Sequence, residues 1–306
     1  MRILVTGGAG FIGSHVADLL IENKHEVFVI DNLSSGRLEN LNSNARFFKE
    51  DLCDYEKIEK MFGENRPEIV YHFAAQIDVR KSVENPVFDT KNNILSTINI
   101  LELCRKYKVQ HFIFSSTGGA IYGDADEIPT TENYKEKPIS PYGCAKLSIE
   151  KYLHYYNFVY GLKYTALRYS NVYGPRQNPH GEAGVVAIFL NNMLNGKNPV
   201  IFGGKQTRDF VFVEDVAKAN ILALNDNKSD IYNVGTGVET DITKLFFKIN
   251  NFFNNGFKEI HLEMKKGEQM KSCLSFDKIK ENLAWMPSWN IDEGLKRTYE
   301  WFEKSR

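Results

Sequence analysis

The sequence is poor in the features that would tie it to a metal, a disulfide framework or a membrane. Its four cysteines (Cys53, Cys104, Cys144 and Cys273) are spread over 306 residues without a Cys-x-x-Cys pair. That spacing suits reduced structural thiols in a cytoplasmic protein. Seven histidines fall at no metal-ligand spacing, so no metal is expected. No apolar run approaches the ~18–20 residues a membrane span needs, and "MRILVTGGAG" reaches its glycines too soon for a secretory leader. Formal net charge is −1, so no global field draws the chain to nucleic acid or to an anionic lipid surface. The remaining composition, 42% apolar and 25% charged, is that of a soluble globular chain.

What is there is alternation. Short β-branched runs at 2–6, 26–30, 45–49, 68–73, 111–116 and 164–170 read as buried parallel strands. Helical patterns at about 11–23, 54–64, 88–106 and 142–160 lie between them. This rhythm predicts an α/β fold, a doubly wound parallel Rossmann-type sheet. After about 172 the rhythm breaks. "NVYGPRQNPHGEAGVV" (171–186) reads as a loop, followed by helices near 185–195, 214–225, 241–253 and 291–304 and short strands near 200–202, 210–213 and 231–234. These predict a smaller α/β lobe beside the carboxyl ends of the strands. Trp285, Trp289 and Trp301 are expected to serve core or lobe packing rather than ligand stacking.

The first strand runs into "VTGGAGFIGSH" (5–15), which contains Gly7-x-x-Gly10-x-x-Gly13 and opens a helix. Glycines there allow a tight turn and let a pyrophosphate approach N–H groups at a helix N-terminus, where the dipole favours anions. Asp31 ends the second strand at the spacing of a carboxylate that bonds the adenosine ribose hydroxyls, and it repels a 2′-phosphate. NAD is therefore expected over NADP, although Arg37 lies nearby. Asp51 ends the third strand near the adenine edge, and Ala74 and Ala75 end the fourth with side chains small enough to let a dinucleotide pass. Residues 1–172, completed by about 205–235, form the expected NAD-binding domain, and 173–306 mainly the substrate lobe.

Tyr142 and Lys146 in "SPYGCAK" stand four apart at a helix start and share one face. For a tyrosine to act as a base near neutrality, its pKa must fall by ~3 units from ~10, about 4 kcal/mol. A neighbouring Lys⁺ and a positive nicotinamide ring are suitable perturbers.

A dinucleotide turn, hydroxyls ending the fifth strand and Tyr-x-x-x-Lys about 25 residues later together resemble the short-chain dehydrogenase/reductase superfamily. The length and second lobe resemble its extended, nucleotide-sugar-modifying branch. Within that branch, "TGGAGFIGSH", "DNLSSG", "SSTGGAIYGD", "SPYGCAK", "LRYSNVYGPRQ" and "RDFVFVEDVA" are similar to the UDP-glucose 4-epimerases, over essentially the whole chain. The resemblance implies an isomerase that oxidises C4 of a UDP-hexose with bound NAD and reduces it on the other face. Tyr142 would be the base, Lys146 its partner on the nicotinamide ribose, and Thr117 the relay hydroxyl, with Ser116 as the alternate. It implies a cofactor lined by Gly7, Gly10, Phe11, Ile12, Gly13, Asp31, Asn32, Leu33, Ser35, Gly36, Asp51, Leu52, Phe73, Ala74, Ala75, Gln76, Asn93, Ser115, Tyr142, Lys146 and Tyr169. The substrate would meet Thr117, Tyr142, Asn171, Val186, Val200, Phe202, Arg208, Lys265, Glu268 and Ser272. Arg208 suits a diphosphate through bidentate bonds, unless Asp209 or Asp215 engages it in a surface salt bridge. A homodimer is implied through the apolar helices 88–106 and 142–160.

Two departures from the family pattern stand out. Lys265-Lys266-Gly267-Glu268 replaces the usual Arg-x-Gly-Asp/Glu, which loses the planar fork; either lysine is open as the inward one. Ser272 stands where the family limits room beside the sugar C2, so a 2-acetamido sugar also becomes an expected substrate. Dehydratases of the branch place an Asp-Glu pair after the strand-five hydroxyl, and Gly118-Gly119 stand there instead. That argues against dehydration. A non-catalytic NAD(H)-binding protein is disfavoured because the Tyr/Lys pair is kept.

Overall fold

The computed structural model describes residues 1–180, 184–264 and 269–305. Seven parallel strands form the main sheet: β1 (Arg2–Thr6), β2 (Glu26–Ile30), β3 (Arg46–Phe48), β4 (Ile69–His72), β5 (His111–Thr117), β6 (Lys163–Tyr169) and, after three short strands, β10 (Asp230–Val234). The three in between are β7 (Asn171–Tyr173), β8 (Val200–Phe202) and β9 (Thr207–Phe212). The sheet order is β10-β6-β5-β4-β1-β2-β3. Chain direction across the sheet reverses between β1 and β4, so a crevice opens beyond their carboxyl ends.

Each strand alternates between two cores because successive side chains face opposite ways. Ile3, Val5, Val27 and Val29 join one apolar cluster with Val16 and Leu20 of helix Phe11–Glu22 and Val216 and Ala219 of helix Val213–Leu224. Leu4, Phe28 and Ile30 join the other, beneath helices Tyr55–Asn65, Ser96–Tyr107 and Pro141–Tyr160. A third cluster, around Phe189, Phe210, Phe212 and Phe246, makes the core of the second lobe. There β9 lies between β11 (Glu239–Asp241) and β13 (Lys271–Ser272) and also pairs with β7, while β12 (Ile260–Leu262) pairs with β8. Trp285 is buried with its indole N–H donating to the Asp215 carbonyl, and Trp289 packs on Phe212. No helix among the described residues is long and apolar enough to cross a membrane.

The expected helix 88–106 is three pieces: Pro86–Thr90, a π-helical stretch Lys91–Leu95, and Ser96–Tyr107. The wide turn carries buried Asn93, which satisfies backbone groups outside the helix. Residues 171–173, expected in a loop, form β7 because the β9 edge offers a partner. Strands of two or three residues such as β11, β12 and β13 are too short to show a period, and the short helices Val79–Glu84 and Asp277–Leu283 were likewise not expected.

One polar knot ties β5, β6 and the 141–160 helix together. Arg168 donates to Glu150 through Nε (3.0 Å) and Nη2 (2.6 Å), to Glu136 (2.9 Å) and to the Tyr122 hydroxyl (2.8 Å). Ser116 donates to the same Glu150 carboxylate at 2.6 Å. Arg168 and Glu150 are each 1% exposed. Removing one partner of such a pair strands the other charge, which costs about 3–5 kcal/mol. Glu150→Ala should therefore lose about that much stability in urea unfolding, and a loss below about 1 kcal/mol would show the pair to be dispensable.

Candidate active site

The crevice is built first by close backbone approach. Gly7 has φ +69° and a methyl group on it would lie 2.6 Å from the Ala74 nitrogen. A methyl group on Gly13 would lie 2.4 Å from the Gly7 carbonyl oxygen. Only glycine lets the turn fold back on itself here. The helix Phe11–Glu22 begins at Gly10 with no side-chain cap, so the N–H groups of Phe11, Ile12 and Gly13 remain to meet an anion. Asp31 accepts from the Ala9 N–H (3.1 Å) and the Leu33 N–H (2.8 Å), which fixes it against the turn. Burial raises its carboxyl above the usual range, and the two N–H groups oppose that. Asn32 donates to Asp51 at 3.0 Å, joining the ends of β2 and β3, with Ser35 exposed, Gly36 against Asp31, and Leu52 buried. These residues fit a dinucleotide: a backbone cradle that any Cβ would fill, uncapped donors for a pyrophosphate, and an oriented carboxylate.

The segment Phe73–Gln76 continues the wall. The Ala74 N–H donates to Thr6 Oγ1 (3.3 Å), the Gln76 N–H donates to Asn93 Oδ1 (2.8 Å), and Asn93 Nδ2 donates to the Gln76 carbonyl (3.0 Å). Asn93 thus clamps the wall from the π turn, a feature often found at functional sites. Tyr169 is buried, its hydroxyl engaged with Asn220, and it supports the floor from beneath.

At the end of β5 the three hydroxyls divide by strand alternation. Ser116 is buried and committed to Glu150, whereas Ser115 and Thr117 are partly exposed on the opposite side. The helix Pro141–Tyr160 starts with Ser140 accepting from the Gly143 N–H at 3.1 Å and Pro141 in its first turn. A methyl group on Gly143 would lie 2.5 Å from the Ala120 carbonyl, so the helix start is pressed against the chain that follows β5. Lys146 is buried, donates to the Ser115 carbonyl at 2.8 Å, and has its Nζ 5.8 Å from the Tyr142 ring centroid. Burial pushes Lys146 down to about 8, with the Asp89 and Glu150 carboxylates pulling it back up. Burial also raises the Tyr142 phenol, and Asp89 raises it further. Within the chain, desolvation of the phenolate and the Asp89 charge act together on Tyr142, and the positive nicotinamide ring expected as the second perturber belongs to the cofactor.

Across the crevice lies the second lobe. A methyl group on Gly119 would look onto Asn171 Oδ1 (3.8 Å), Ser272 Oγ (3.9 Å) and Thr117 Oγ1 (3.9 Å), so these three polar groups converge on one open space. On Gly118 it would lie 2.4 Å from Leu274 Cδ1. Arg208 on β9 is in register with Ser272 on β13, and its Nη1 donates to the Thr207 carbonyl at 2.8 Å. Asp209, the next residue and so on the other face, accepts from Thr236 and the Leu274 N–H, while Asp215 accepts from Ser288 and the Trp289 N–H. Val200 and Phe202 flank buried Ile201 on β8 and face away from the core. Val186 differs: its side chain is enclosed in the lobe's apolar core, because the helix Val185–Leu194 turns that position inward. Lys265 and Glu268 lie outside the described residues. Sequence reasoning missed Thr6, Asp89 and Leu274; Gly8, whose methyl would lie 2.8 Å from Val29, was visible in "TGGAG".

With this geometry in view, a model of the NAD dependent epimerase/dehydratase family matches residues 3–235, and the chain belongs to that family. Its cofactor is NAD. The chain is similar to a crystal structure of UDP-glucose 4-epimerase with UDP-glucose from Thermotoga maritima, at 51% identity and a TM-score of 0.98, covering 100% of this chain and 99% of that one. It is similar to a Thermus thermophilus UDP-glucose 4-epimerase in complex with NAD, at 42% identity and a TM-score of 0.96, covering all of both chains. A UDP-glucose 4-epimerase of Mycolicibacterium smegmatis is 40% identical over 309 residues, 99% of this chain and 98% of that protein.

The cradle yields a direct test. Gly13→Ala forces the turn open, so the purified variant should carry at least about tenfold less NAD than the wild type, measured by cofactor release on denaturation. Unchanged NAD content would mean that the cofactor does not depend on this turn.

Proposed function

We propose that the chain is an NAD-dependent UDP-hexose 4-epimerase that interconverts UDP-glucose and UDP-galactose. The observation that carries this reading is the convergence of Thr117, Asn171 and Ser272 around Gly119, beside Tyr142 and Lys146, with no carboxylic acid at the end of β5. Gly118 stands against buried Leu274, whose side chain would have to shift to admit an acid, so nothing at this position supplies the proton donor that a dehydratase needs.

When bound, NAD supplies the reversible hydride acceptor for C4. The chain's own task is to move the matching proton. Thr117 passes the C4 hydroxyl proton to Tyr142 and, once the 4-keto sugar has turned its other face to the hydride donor, returns it to the C4 oxygen. Lys146, anchored on the Ser115 carbonyl, would hold the cofactor ribose and offer the phenolate its positive charge. The turn at Gly7, Gly10 and Gly13 would hold the pyrophosphate, Asp31 the adenosine ribose, and Asn93 the wall of the nicotinamide end. Asn171 and Arg208 would bind the substrate diphosphate, with Lys265 or Lys266 and Glu268 completing it, and Val200 and Phe202 would line the uracil. Residues 1–172 with β10 and the 213–224 helix are read as the NAD-binding part, and most of 173–306 as the nucleotide-sugar lobe.

Ser272 is small and leaves room beside C2, which supports turnover of UDP-N-acetylglucosamine and UDP-N-acetylgalactosamine as well. Exposed Val87 (78%) and Phe158 (82%) support a homodimer through the 86–107 and 141–160 helices, because such apolar surface is normally covered. Free cysteines fit a cytoplasmic setting.

Purified protein should convert UDP-galactose to UDP-glucose without added NAD, and should sediment at twice the chain mass. Steady release of NADH would instead identify a dehydrogenase, and failure on UDP-N-acetylglucosamine alone would remove the broader specificity. Tyr142→Phe should lower kcat by about 10²–10⁴-fold with its NAD content retained. Activity surviving that change would overturn the mechanism.

A further inference from the structure

Asp89, on the helix Pro86–Thr90, is not used by the mechanism above, yet its side chain is 0% exposed. A buried carboxylate is costly unless it is paired. Its Oδ1 accepts from Gln76 Nε2 (2.9 Å) and Asn93 Nδ2 (3.0 Å), and its Oδ2 has no hydrogen-bond partner among the described residues. A neutral amide could accept the same two bonds, so the clamp by itself does not require a charge.

The surroundings supply a use for one. The short helices Val79–Glu84 and Pro86–Thr90 pack on the 141–160 helix, and the Tyr142 N–H donates to Ser82 Oγ at 3.3 Å. From that helix, the Lys146 ammonium and the Tyr142 phenol both feel the Asp89 carboxylate. Glu150, one turn beyond Lys146, also acts on the ammonium but is tied up by Arg168 and Ser116. His72, on β4, is buried and kept neutral between Thr6 and Thr97. The charged residues on Asp89's own stretch of chain, Arg80, Lys81, Glu84 and Lys91, are exposed.

We propose that Asp89 is a positioning residue that sets the pH range over which the Tyr142–Lys146 pair works, while its other oxygen locks the Gln76–Asn93 clamp. This rests on the epimerase reading. The sign follows from the charge. Burial raises the Asp89 carboxyl while Gln76, Asn93 and the Lys146 ammonium act to lower it. In its charged form it holds protons on both groups, so removing it lets Tyr142 ionise and Lys146 deprotonate at lower pH. Both limbs of the profile should then move the same way.

The experiment measures kcat and kcat/KM for UDP-galactose between pH 5 and 10. Asp89→Asn, which keeps an acceptor for Gln76 and Asn93, should shift both limbs to lower pH by about one unit, with NAD content unchanged. Asp89→Glu, which restores the charge, should return the limbs to their wild-type positions even if the rate falls. Asp89→Ser removes the charge while leaving room for water, and should give the same shift if the asparagine variant does not fold. A lower kcat with unmoved limbs would reduce Asp89 to a packing clamp and overturn the proposal, as would an unchanged profile. Absence of turnover in the wild type would instead defeat the epimerase reading, so the two failures are separable.

Discussion

The buried hydrogen-bonded knot of Ser116, Glu150 and Arg168 is the interaction on which the site depends. It joins two adjacent strands to the helix that carries Tyr142 and Lys146, and it does so with two charges held out of water. Such a pair tolerates little displacement, because moving either partner strands a charge in the core. By drawing Ser116 inward it also settles strand alternation, which turns Ser115 and Thr117 to the opposite side. The proposed choice of Thr117 over Ser116 as relay hydroxyl follows from that commitment of Ser116.

The same burial that orients the site works against its chemistry. Removing Tyr142 and Lys146 from solvent disfavours the charged form of each, so the phenol rises and the ammonium falls. A positive group placed beside the phenol, as a nicotinamide ring would be, acts in the opposite direction. That coupling suits a reaction in which the cofactor remains bound and base strength is needed only while it is in place. The glycines after β5 have an equally physical role. Gly118 lies against Leu274, which would have to move to admit a side chain there, and Gly119 opens onto polar groups from both lobes.

Much of the fold was legible because its signals are local. β1, β2 and the helix Phe11–Glu22 carry apolar patterns, and Gly7, Gly10 and Gly13 gain weight over a mere packing turn from the strand before, the helix after and Asp31. Tyr142 and Lys146 were picked out by their combination with that turn and the strand-five hydroxyls, since their spacing alone says little. The π turn at 91–95, the short β7 and the enclosure of Val186 were not legible, because each depends on what a distant segment offers. Asn93 leaves the regular helix register to bond Gln76, and no window of sequence around it contains that partner. Arg208 shows both sides: its charge was visible, whereas its register with Ser272 exists only once β9 and β13 pair.

The sequence by itself determined the parallel α/β architecture, the dinucleotide turn and the Tyr142–Lys146 pair, since strand period, helix period and glycine spacing are written within a few residues of one another. Tertiary structure alone decided that Ser116 is committed to Glu150, that Gly118 packs against Leu274, and that Asp89 is buried where its helix meets the 141–160 helix. Those outcomes depend on packing between segments up to about 150 residues apart, as for Gly118 and Leu274, and contacts at that separation leave no local pattern to read.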